Sequence, residues 1–73
     1  MSDIEIRMVE ELQKYLDEVK NAQNEYGIDS YSREYWSKRF VNASTFVEAV
    51  TGKIVESGGW NVRLIEIREE VEA

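Results

Sequence analysis

YSREYWSKRFV, residues 31–41, is the stretch whose reading decides how this chain folds. With a period of two, Arg33, Tyr35, Ser37, Arg39 and Val41 share one side, and Glu34, Trp36, Lys38 and Phe40 share the other, as in a strand. With a period near 3.6, Trp36 and Phe40 fall one helical turn apart behind a Ser30 cap, as in a helix. The strand is preferred at this level, because residues 60–68 need a neighbour. An isolated strand leaves a row of backbone N–H and C=O groups unpaired.

That second strand is read from Trp60 to Arg68, a run rich in β-branched and aromatic residues behind Gly58-Gly59. Its phase slips between Leu64 and Ile65, as a bulge or a strand apolar on both faces would require. Between the two strands, Ala43, Phe46, Val47, Val50 and Ile54 lie within about a 100° arc at the helical period. They predict a helix over 42–59, capped by Ser44 or Thr45 and stopped by Ser57-Gly58-Gly59. Thr51-Gly52 also fits a hairpin turn, but strict alternation is missing on both sides of it.

Upstream, Met8, Leu12, Tyr15, Val19, Ala22 and Tyr26 follow one another at spacings of 4, 3, 4, 3 and 4. This heptad seam predicts a helix over residues 3–26, opened by the box Ser2-Asp3-Ile4-Glu5 and closed by Gly27. Ile4-Glu5-Ile6-Arg7 is then a helical turn, although the same four letters recur as Ile65-Glu66-Ile67-Arg68 in the predicted strand. The expected fold is α+β in one domain spanning residues 1–73: long helix, strand, second helix, C-terminal strand. Dimerisation would complete the small sheet. The alternative is a mostly α chain with one C-terminal strand.

A chain of 73 residues has a small core, and such domains lean on disulfides, metals or partners. This one has neither cysteine nor histidine, which removes disulfides, thiolate sites and the commonest general base. A homodimer or a tight complex is therefore expected. No apolar run approaches a membrane span, and MSDIEIR lacks a basic-then-apolar leader. The expected location is cytoplasmic, or the host cytoplasm if the chain is phage-encoded.

The same composition argues against catalysis. There is no Gly-rich phosphate loop and no serine with an evident base, and the carboxylates sit in polar contexts that leave them untuned for acid–base work. Glu66, Glu69, Glu70 and Glu72 supply oxygens for a metal but lack calcium-loop spacing. The reading is a binding protein, not an enzyme, without metal or cofactor.

Net charge is −6, distributed as −4 over residues 1–26, +1 over 27–53 and −3 over 54–73. On the first helix Glu11, Glu18 and Glu25 repeat every seven residues, with Glu10 and Asp17 beside them. Members of each row stand about 10.5 Å apart along the axis. The ribbon suits a basic groove that normally holds a nucleic-acid backbone, and Glu69, Glu70 and Glu72 add acid at the other end. The plain reading is a solvated helix face laced by Glu10–Lys14 and Lys14–Glu18 pairs.

The leading expectation is a non-enzymatic, acidic inhibitor or regulator, a DNA mimic that occupies a basic site on a nucleic-acid-handling protein. A second reading is a self-associating structural protein using the heptad face of the first helix at Met8, Leu12, Tyr15 and Val19. A third is a small single-strand nucleic-acid binder. It rests on Tyr31, Arg33, Trp36, Lys38 and Arg39, which interleave bases with aromatics and also suit a protein interface. Nucleic acid is the weaker partner, because the overall charge repels phosphate. In its shortness, acidity and want of catalytic residues the chain resembles small phage-encoded inhibitors.

Overall fold

The computed structural model describes residues 2–66. Its order is helix α1 (Asp3–Tyr26), helix α2 (Tyr31–Thr51), strand β1 (Lys53–Glu56), a 3-10 turn (Gly58–Trp60) and strand β2 (Arg63–Glu66). The two strands form an antiparallel hairpin. The class is α+β, as expected, but with the plan helix, helix, hairpin.

The α1 boundaries follow from its caps. The Ser2 Oγ accepts a hydrogen bond from the Glu5 N–H at 3.2 Å, satisfying one of the free donors of the first turn. Gly27 ends the helix at φ 100°, a region that disfavours side chains, and its N–H reaches the Gln23 carbonyl at 3.0 Å. The Glu5 carboxylate takes the Lys53 ammonium at 2.9 Å, tying the first turns of α1 to β1.

Residues 31–41 are helical, which corrects the strand expected there. The Ser30 Oγ accepts from the Arg33 N–H at 3.1 Å, and α2 then runs unbroken for 21 residues. The physical reason is a seam that crosses residue 41. Trp36, Phe40, Ala43 and Val47 continue at 4, 3 and 4 residue steps, and Phe40, Ala43 and Val47 pack against α1 in the core. A strand ending at Val41 would break this stripe in two.

The helix expected over 42–59 is also corrected. Gly52 adopts the left-handed conformation, φ 70° and ψ 17°, and its N–H closes on the Glu48 carbonyl at 2.9 Å. The chain then reverses into β1. Phe46 and Val50, expected on the buried face, are 63% and 56% exposed, and Ile54 belongs to β1. The pairs Lys53–Glu66, Ile54–Ile65, Val55–Leu64 and Glu56–Arg63 set the register. The strand predicted at 60–68 is seen as Arg63–Glu66; Ile67 and Arg68 lie outside the described residues. The repeated tetrapeptide is helix at Ile4–Arg7, and Ile65–Glu66 are strand.

The core lies where the helices meet the hairpin. Leu12, Leu16, Val47 and Val62 are buried together, with Met8, Val9, Phe40, Ala43, Val55, Trp60 and Leu64 packed around them. Val19 and Ala22 extend the buried stripe along α1. Tyr26, the last member of the predicted seam, is exposed. Gln13 fastens the hairpin connection to α1: its side-chain amide donates to the Trp60 carbonyl at 2.9 Å, and its carbonyl accepts from the Val62 N–H at 2.9 Å.

Lys53 beside Glu5 holds the Glu5 carboxyl below its ordinary value of 4.5, chiefly through their hydrogen bond. A carboxylate with a depressed pKa stabilises the fold above the unfolded value, and loses that contribution as pH falls through the folded one. The stability gap between the native chain and Glu5→Gln should be full at neutral pH and close at acid pH, in urea melts at several pH values. A gap independent of pH would show that the Lys53 pairing contributes nothing.

Candidate protein-binding face

α1 turns its two long sides to different partners. The side carrying Gln13 meets the hairpin, and the side carrying Tyr15 meets α2. The remaining side holds the predicted acidic row. Glu10, Glu11, Asp17, Glu18 and Glu25 are all exposed. Glu11 pairs with Lys14 at 3.3 Å in an open ion pair, of the kind worth about 0–1 kcal/mol. Asp17 accepts from the Gln13 amide at 3.0 Å. Glu69, Glu70 and Glu72 lie outside the described residues.

Glu18 and Glu25 do not stand on a bare helix. They line a groove of about 290 Å³ between α1 and α2, together with Asn21, Ala22, Tyr26, Ser32 and Trp36. Trp36 is half-buried, so the groove joins two carboxylates to an indole. Hydrogen bonding to Glu25 raises the Tyr26 phenol above its usual value of 10.

The predicted aromatic and basic residues are divided by the helical form of α2. Tyr31 is 81% exposed, and Lys38 also faces solvent. Arg33 turns inward, and its Nε donates to Gln23 on α1 at 3.0 Å. Arg39 lies over the rings of Tyr15, Tyr35 and Trp36 at 5.6, 5.6 and 5.9 Å. Its guanidinium pKa is raised further, first by hydrogen bonding to Tyr15 and then by the electrostatic influence of Tyr35. Tyr35 meets Trp36 edge-on at 5.2 Å, while Tyr15 is tilted against it at 6.2 Å. The cluster joins α1 to α2 through a cation between rings. Arg39 and Trp36 thus serve the helix pair directly.

Of the predicted self-association face, Leu12 and Val19 are buried within the chain, at 1% and 5% exposure, and Met8 and Tyr15 are half-buried. Sequence reasoning grouped Tyr35 with Trp36 and Arg39 but missed Tyr15, on the other helix, as a partner of the guanidinium. Among the described residues no three carboxylates gather as a metal site would need, and no helix is long and apolar enough to cross a membrane. A larger hollow of about 350 Å³ beside the start of α2 mixes Asp29 and Glu34 with Arg33 and Lys38, and favours neither sign of ligand. No known family model matches the chain, and no curated protein or solved structure shows a match to it.

Proposed function

We propose that this chain is a non-enzymatic binding module whose α1 face occupies a basic site on a nucleic-acid-handling protein, acting as an inhibitor or regulator in the cytoplasm. The observation that carries this reading is the Glu18–Glu25–Trp36 groove on an exposed acidic ridge. A lysine or arginine side chain entering it meets carboxylates at its head and an aromatic face along its stem, a combination that favours cations. Glu10, Glu11 and Asp17 extend the negative field along the helix and would steer a basic surface toward the groove. The spacing of the row, about 10.5 Å per heptad, lets several basic residues of one partner engage at once.

The test is a triple charge reversal, Glu11→Lys with Glu18→Lys and Glu25→Lys. All three side chains are exposed, so the fold should persist by circular dichroism. Affinity for a partner captured from nuclease-treated lysate should fall at least about tenfold, and the native chain should release that partner at moderate salt. Unchanged binding by the folded triple variant would remove the acidic face from the interaction.

A further inference from the structure

The groove that joins Glu18 and Glu25 to Trp36 is lined by no lysine or arginine. Lys14, one turn before Glu18, turns to Glu11 at 3.3 Å, and among the described residues no base pairs with Glu18 or Glu25. We infer that this groove takes an arginine side chain of the partner in preference to lysine. The guanidinium would lie flat on Trp36, with its N–H groups shared between Glu18 and Glu25. The inference rests on the reading of the α1 face as the binding face and names the side chain that face selects.

One wall belongs to α1. Glu18 and Glu25 stand seven residues apart, about 10.5 Å along the axis, with Asn21 and Ala22 between them. Ala22 is buried and ends at its Cβ, so the floor between the two carboxylates is low. The other wall is Ser32 and Trp36 of α2. Its indole is fixed before any ligand arrives, with Tyr35 edge-on at 5.2 Å and Tyr15 tilted against it at 6.2 Å. Fixed walls lower the ordering cost of binding. Arg39 lies over the same ring at 5.9 Å but does not line the groove. Two carboxylates against that one guanidinium leave the site negative.

These features separate the two basic side chains. An ammonium is compact and strongly hydrated, and it meets one carboxylate at a time. A guanidinium is planar and weakly hydrated, stacks on an indole, and presents N–H groups on opposite edges. Lying on Trp36, it can donate toward Glu18 from one edge and toward Glu25 from the other, with the Asn21 amide between. Lysine in the same place leaves one carboxylate without a donor and gives up more bound water. Glu10, Glu11 and Asp17 stand outside the groove, and as open charges they attract either base alike.

Titration of the full chain with N-acetylarginine methylamide and with N-acetyllysine methylamide, at low salt and followed by NMR, tests the preference. The two probes carry the same charge, so the ridge cannot tell them apart. The Trp36 indole N–H and the Asn21 and Ser32 amides should shift with both, the arginine probe binding about fivefold or more tightly. Glu18→Gln and Glu25→Gln, at exposed positions, should each bring the two affinities together. Glu11→Gln should weaken both and keep their ratio. Equal affinities in the native chain overturn this inference alone, since the acidic ridge is judged by the triple charge reversal. Shifts confined to residues outside the groove also overturn it, as does a native chain that binds neither probe.

Discussion

Leu12→Ala is expected to destabilise the chain by about 2–5 kcal/mol, from lost burial plus the cavity that remains. Leu12 is 1% exposed, at the point where α1, α2 and the hairpin meet. Its neighbours come from three elements, so no single shift can close the space. Stability for a domain of this size is roughly 0.05–0.15 kcal/mol per residue, which makes this one change a large share of the whole. Urea unfolding monitored by circular dichroism measures it. Phe46→Ala, at a residue 63% exposed, is the control and should shift stability by no more than about 0.5 kcal/mol. A Leu12 variant as stable as the control would mean that the core is elsewhere.

Gln13→Leu should cost about 2–4 kcal/mol, nearly as much, although it makes the residue more apolar. The Gln13 amide is the partner of both the Trp60 carbonyl and the Val62 N–H, and Val62 is itself buried. Removing the amide leaves a donor and an acceptor unsatisfied, at about 1–3 kcal/mol each when buried. The connection is already under load, because Trp60 is held at φ 65°, a conformation that costs a non-glycine residue roughly 1–2 kcal/mol. Freed from Gln13, Trp60 should relax, and the loss should appear as a blunted, red-shifted tryptophan emission at lower urea. A fully stable variant with native fluorescence would show that water replaces the amide without loss.

These two residues differ in how visible they are from sequence. Leu12 belongs to a heptad seam, and periodicity found it, together with Val19 and Ala22. Leu16 escaped because a narrow seam was drawn where the buried stripe is wider, as it is for a helix facing two elements. The caps at Ser2, Gly27 and Ser30 were readable because each acts on its own neighbours. Residues 31–41 were misread because both periods fit locally, and the deciding side chains, Ala43 and Val47, lie beyond the segment. Strand β1 has four residues, too few for alternation to register, and its start depends on the left-handed turn at Gly52.

The candidate site divides in the same way. The carboxylate row was legible because it is a repeat on one helix. The groove beside it was not, since Trp36 joins Glu18 and Glu25 only once α2 is a helix lying along α1. Gln13 was invisible for a related reason. It is a polar residue on a helix flank, and its partners sit 47 and 49 residues away.

That separation also sets the order in which the chain can assemble. The contacts joining α1 to α2, such as Arg33 with Gln23 only ten residues away, close short loops and form early at small entropic cost. The hairpin is tied to α2 at short range, where the Val55 N–H reaches Glu48, but it docks on α1 only when Gln13 captures Trp60 and Val62 across most of the sequence. The two helices therefore make a scaffold that comes together first. The hairpin is therefore expected to open before the helix pair does, a latch whose release uncovers Leu12 and Val47, and native-state hydrogen exchange should release the Ile54 and Ile65 amides ahead of those of α1.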